Sequence, residues 1–191
     1  MIQCSDEVSH YVRRRSDEEF SPQCVAQTVK HPTQVMIWSC LSVYGTGRLY
    51  IVNGNMRQDQ YKSVLEDRLL PQMREWALKQ GLEGLGDFIF MHAGAPCHKG
   101  KTVTKFLKDN GVRVLPWPGN SPDTNPIENL WAILKKRMKK EKIWNKTELI
   151  AKLISVWHRD EEIKAFCEKL TDSMPRRISA LIKAKGSFTK Y

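Results

Sequence analysis

Glu128 stands three residues after Asn125, with Pro126 between them, where a polar loop gives way to a stretch of helical apolar period. Asn as cap, Pro at the first helical position and Glu at the third come close to a capping box, which would make Glu128 a purely structural residue. The helix phase keeps a second reading open. Ile127, Leu130, Trp131, Leu134 and Met138 form the stripe to be buried, and Glu128 lies off it, on a face with Ala132, Lys135, Lys136, Lys139 and Lys142. One carboxylate thus heads a basic ridge. Alone it would repel phosphate, but with a divalent cation it could hold phosphate oxygens while the lysines follow a polyanion's backbone. Metal-dependent phosphoryl transfer needs oxygen ligands from separate elements, because two metal ions about 3.5–4 Å apart must be held. At the first candidate strand, Ser5-Asp6-Glu7 supplies Asp6. At the end of the run 87–93 (DFIFMHA) the corresponding place is Ala93, which has no ligating atom.

The elements that must position these residues read as α/β. Residues 33–53 predict a hairpin turning at Gly45-Thr46-Gly47, after an opening strand at 2–6 and a short one around 10–13. From 58 to 80 the residues Tyr61, Val64, Leu65, Leu69, Met73, Trp76 and Ala77 predict an amphipathic helix bent near Pro71. A buried strand is expected over 87–93, then a helix through Val103, Phe106 and Leu107 that stops at Asn110-Gly111, then a strand at 112–116. Helices follow at about 126–142, 147–158, 160–170 and 175–185, with Thr147 and Asp172 as expected caps. The order implies an antiparallel hairpin followed by a parallel βαβ unit, in one domain over 1–191. A strand that opens at residue 2 suggests an edge shorn of chain that would protect it.

The 191 residues carry 31 Lys and Arg against 21 Asp and Glu, a net charge of +10, with 41% hydrophobic residues, which excludes a disordered tail and an acidic enzyme. Nine of the ten net charges fall in residues 130–191, which hold 16 basic and 7 acidic side chains. Such asymmetry points to a polyanionic partner, nucleic acid before membrane, since no stretch approaches the ~18 apolar residues of a span. The bland alternative is a solvated basic face. The five cysteines are odd in number and scattered, with no zinc-ligand spacing, so neither a disulfide framework nor a structural zinc is expected.

Several stretches together carry a specific resemblance: VRRRSDEEFSPQCVAQTVKH, VMIWSC, GAPCHKG, WPGNSPDTNPIENLW and SMPRRISALIKAKGSFTKY. In this order, over nearly the whole chain from Val12 to Tyr191, they resemble the Tc-like branch of the Tc/mariner superfamily of cut-and-paste DNA transposases. The resemblance implies a ribonuclease-H-like, retroviral-integrase-like mixed sheet flanked by helices, with a helical C-terminal part. It implies two aspartates and a glutamate that bind Mg²⁺ or Mn²⁺ and cut and rejoin DNA. Glu128 matches the third acid, within Pro-Ile-Glu-Asn. The second acid precedes the Ala-Pro-Cys-His motif, and its place is taken by Ala93, with 34 residues between the two positions. Ser5-Asp6-Glu7 matches the stretch that holds the first acid, Asp6 being either the true ligand with a shortened hairpin behind it or a chance match, and the family's N-terminal helix-turn-helix region is expected to have no counterpart.

No neighbouring acid is an obvious substitute. Asp87 lies six residues before Ala93, His92 is expected to face the opposite side of the strand, and Asp123 is expected to shape its loop. The readings in play are a metal-dependent transposase crippled at Ala93, a non-catalytic DNA-binding module that self-associates or pairs with an intact transposase, and a decayed remnant. The expected ligands are Asp6 and Glu128, the expected DNA contacts Lys135, Lys136, Lys139 and Lys142. A nuclear location is expected from the resemblance and from the run KKRMKKEK.

Overall fold

The strand Thr33–Trp38, β2, is the axis of the architecture. The computed structural model describes residues 2–4, 33–117, 121–139, 143–187 and 189–191; Asp6, Lys142 and the expected strand at 10–13 lie outside them. The first half places β1 (Ile2–Cys4), β2 (Thr33–Trp38), β3 (Leu41–Ser42), β4 (Gly45–Thr46) and β5 (Tyr50–Val52). A three-stranded antiparallel sheet runs β1-β2-β5, with Ile2 opposite Val35 and Ile37 opposite Ile51. The expected hairpin is present, but the reversal at its tip falls at Val43-Tyr44, between β3 and β4. There the Ser42 hydroxyl accepts the Tyr44 N–H and Gly45 takes a φ of 115°, so the glycine ends the turn rather than opening it.

Alternation along β2 assigns its two faces to two cores. Val35 and Ile37 pack with Leu130, Leu134, Leu149, Leu153, Trp157 and Ile163 from the C-terminal helices, whereas Trp38 packs with Tyr61, Leu65, Leu69 and Leu107. Helices therefore cover both faces, as the sequence implied. The first layer comprises α1 (Gln58–Val64), α2 (Leu70–Gln80) and α3 (Lys101–Asp109). Between α1 and α2 lies a π-helical turn, Leu65–Leu69, immediately before Pro71. Proline cannot donate to the carbonyl four residues back, and the widened turn accommodates the defect while Tyr61, Leu65 and Leu69 stay fully buried.

The run 87–93 yields less strand than expected. A 3₁₀ turn takes Leu85–Asp87, and β6 is Ile89–Phe90 alone, with Ile89 exposed. It pairs in parallel with β7 (Arg113–Val114) across α3, which completes the predicted βαβ unit. Gly111, at φ 69°, terminates α3, with Val112 N–H returning to the Leu107 carbonyl.

The second layer comprises α4 (Pro126–Met138), α5 (Lys146–Arg159), α6 (Glu161–Asp172) and α7 (Met174–Lys183). Helix α5 starts earlier than expected, capped by Asn145 rather than Thr147: Asn145 Oδ1 accepts the Glu148 N–H and Glu148 returns a carboxylate to the Trp144 N–H. Asp160 caps α6 through the N–H groups of Glu162 and Ile163. Asp172 caps nothing; it is the last residue of α6, and Ser173 precedes α7 without a side-chain cap bond. The buried Trp157 indole donates to the Gly47 carbonyl at 2.8 Å, tying α5 to the hairpin. Among the described residues, no helix is long and apolar enough to cross a membrane.

Candidate functional site

One cavity of about 770 Å³ opens where the ends of the strands meet α4. Residues 37–44 form one wall, residues 87–93 a second, Asn125–Glu128 with Trp131 a third, and Met174 and Ile178 of α7 close it. Ala93 and Glu128, with 34 residues between them in the chain, thus face the same space. Its lining is chiefly apolar. Glu128 is exposed at the rim, and a methyl group stands where the second carboxylate was sought.

The start of α4 is built as the sequence predicted. Asn125 Oδ1 accepts the Ile127 N–H, the Glu128 N–H bonds the Asn125 carbonyl, and Pro126 occupies the first turn. Leu130, Leu134 and Met138 are buried while Glu128, Ala132, Lys135, Lys136 and Lys139 are exposed, so the acid does head a lysine ridge. The Asn125 cap makes no use of the Glu128 carboxylate. Glu128 itself is exposed to solvent.

A set of residues missed at the sequence level holds this helix start in place. Arg177 is buried, and its guanidinium donates to the Asp123 carbonyl (Nη1, 2.9 Å), Asn129 Oδ1 (Nη2, 2.7 Å) and the Ser173 hydroxyl (Nε, 2.7 Å). Asp123 does more than shape its loop: its carboxylate accepts both the N–H and the hydroxyl of Thr189, each at 2.8 Å. Those bonds hold its pKa below the usual value. Below them, the Thr124 hydroxyl bonds the Ser121 carbonyl and the Asn125 N–H that of Pro122. The available signal was phase, since Met174, Arg177 and Leu181 recur at i, i+3 and i+7 and an arginine on that face must find acceptors.

His92 departs from expectation. It lines the cavity together with Ala93, because β6 has ended at Phe90 and strand alternation no longer governs which way residues 92 and 93 face. Its Nδ1 lies 3.0 Å from the buried Tyr61 hydroxyl and its ring stacks with that of His98, whose own Nδ1 sits 2.7 Å from the Ala93 carbonyl. Burial pushes His92 down to about 4, with His98 and Lys99 adding repulsion. Asp87 also reaches the cavity, from the opposite end of β6 to Ala93.

A divalent metal is what the resemblance implies, and the donor set is the test of it. Among the described residues, no three His, Cys, Asp or Glu side chains are grouped to hold a metal ion. Glu128 and Asp87 enter the cavity from separate sides, and Ala93 contributes nothing. These residues do not fit a pair of Mg²⁺ or Mn²⁺ ions.

Residues 2–150 match the family model described as DDE superfamily endonuclease. The chain belongs to this family. It is 34% identical over 183 residues to the transposable element Tcb1 transposase of Caenorhabditis briggsae and 35% identical over 182 residues to the Tc1 transposase of Caenorhabditis elegans. Each alignment takes in 95% of this chain and 63% of the relative, so the chain spans less than two thirds of their length. The catalytic domain of the Mos1 mariner transposase superposes with a TM-score of 0.71 at 18% identity, over 82% of this chain and 76% of that one. A pre-cleavage Mos1 transpososome gives 0.72 at 18% identity, over 94% of this chain and 53% of that one. The DDE endonuclease fold is therefore ribonuclease-H-like here, and the curated relatives are Tc-type transposases. Within this DDE frame the cavity runs alongside β6 and extends past its carboxyl end, where open α/β sheets place their ligand sites.

Proposed function

We propose that the chain is a transposase catalytic-domain scaffold, one domain over residues 1–191, that binds DNA and has lost most or all of its capacity to cleave it. The observation that carries this reading is the shared cavity: Glu128 stands at one wall and Ala93, which the sequence resemblance matches to the family's second acid, at another. Electrostatically, a lone carboxylate beside phosphate repels it, and catalysis of phosphoryl transfer depends on charge neutralisation from more than one side. Asp6 is proposed as the first acid.

The residues present do the other part of the work. Lys135, Lys136 and Lys139, exposed in succession on α4, form a positive strip that can follow a phosphodiester backbone without reading bases, and Lys142 is proposed to continue it. DNA is the proposed partner, with self-association or pairing with an intact transposase alongside it. The Mos1 relative is described as forming a paired-end complex with Mn, which supports this reading. A nuclear location is proposed with it.

The test is nicking of supercoiled plasmid in the presence of Mn²⁺ by the parent chain and by Ala93→Asp. The parent is expected to leave the plasmid intact and the variant to introduce nicks. Metal-dependent cleavage by the parent that vanishes in Glu128→Gln would refute the loss of function.

A further inference from the structure

Residues 174–191 contain five cations, Arg176, Arg177, Lys183, Lys185 and Lys190, and no acid. Arg177 is committed to the interior, as described above. Arg176 and Lys183 are exposed on α7 and recur with Ser179 and Ala180 at i, i+3, i+4 and i+7, so they share one face of the helix. Facing them are Lys190 and Tyr191. Together with Pro175 these residues line a hollow of about 500 Å³ that no acidic side chain enters.

The hollow is held open by fixed neighbours. Thr189 is anchored by two bonds to the Asp123 carboxylate, the Arg177 guanidinium lies 4.8 Å over the Tyr191 ring, and the Lys190 ammonium lies 5.5 Å from the centre of the same ring. The 189–191 segment is thereby set against α7. Three like charges gathered on one concave surface repel one another, and that repulsion is relieved by an anion.

We propose that this hollow binds phosphates of the DNA backbone, as a contact separate from the α4 lysine ridge. The proposal rests on the DNA-binding reading above and extends it to a second surface. Arg176 offers a planar fork suited to phosphate oxygens, the lysines act as point charges, and Ser179 adds a hydroxyl donor. Arg176 and Lys183 are seven residues apart, about 10 Å along the helix axis, long enough to reach more than one phosphate of a strand. No base-reading group is present, so recognition there is independent of sequence.

The experiment is equilibrium binding of the full chain to a fluorescent duplex of arbitrary sequence across a range of KCl concentrations. Arg176→Ala/Lys183→Ala/Lys190→Ala is expected to flatten the log–log salt slope by about two to three, at ~0.9 per phosphate released. Lys135→Ala/Lys136→Ala/Lys139→Ala should flatten it independently, and Thr189→Ala, which loosens the segment but removes no charge, by about one. A hollow variant with the parent's slope overturns the proposal while the ridge variant's response leaves the DNA reading intact; a parent whose affinity ignores salt overturns both. Saturable binding of inorganic phosphate with an unchanged DNA slope would make this a free-anion site. Loss of binding to phosphatidylserine vesicles with an unchanged DNA slope would make it a lipid surface, and either result also overturns the proposal.

Discussion

Ala93 and Glu128 line one cavity, so at the residue scale a methyl group and a single carboxylate share that space. The sequence singles out Glu128 by its place off the buried stripe of α4 and Ala93 by the motif that follows it, and both line the cavity. His92 was misplaced for a physical reason, since two-residue alternation was extended past the point where the strand ends. Its contact with Tyr61 has a consequence for stability. Burial holds His92 at about 4, whereas an unfolded histidine titrates near 6.5. Between those values the unfolded chain binds the extra proton, so stability falls as pH drops from about 6.5 towards 4. Urea midpoints measured over that range should decline for the parent and decline less for His92→Asn. Equal slopes would show that the ring is not held neutral by its surroundings.

At the scale of elements, the helix that presents Glu128 depends on groups far away in sequence. Periodicity sufficed to place α3, α4 and α6, and the Asn110-Gly111 stop, because each is decided by a local stripe and a local cap. It failed for the cap of α5, where Asn145 with Glu148 outcompetes Thr147, and for Asp172, which α6 absorbs. The Arg177 network was beyond a local reading: its partners Asp123 and Asn129 precede it by 54 and 48 residues, and the phase of α7 says only that an arginine faces inward. Arg177→Ala removes three donors from buried or half-buried acceptors and should cost about 2–4 kcal/mol, at ~1 kcal/mol or more per charge-assisted bond. Chemical denaturation checks the loss. Arg177→Lys should recover only part of it, because an ammonium cannot span the Asp123 carbonyl and Asn129 as the guanidinium fork does. Full recovery would mean that charge alone is required there.

Across the whole molecule, the uneven charge acquires a place. The ridge of α4 and the hollow beside α7 carry exposed cations of the C-terminal third, while Arg137 is spent within the fold on Asp160 and Glu162. The Trp157 indole, bonded to Gly47 from 110 residues away, joins the helical layer to the hairpin wall of the cavity. The fold class was legible as alternating strands and helices, whereas the meeting of hairpin, β6 and α4 around one cavity arises only from tertiary packing. The DDE endonuclease fold is kept, and the proposed loss of its metal centre turns on Ala93. Isothermal titration calorimetry of the chain with MnCl₂, set against Ala93→Asp and Ala93→Asp/Glu128→Gln, tests it most directly. No saturable heat is expected from the parent, saturable binding is expected from Ala93→Asp, and that binding should be lost when Glu128 is also replaced. Saturable Mn²⁺ binding by the parent that Glu128→Gln abolishes would contradict it.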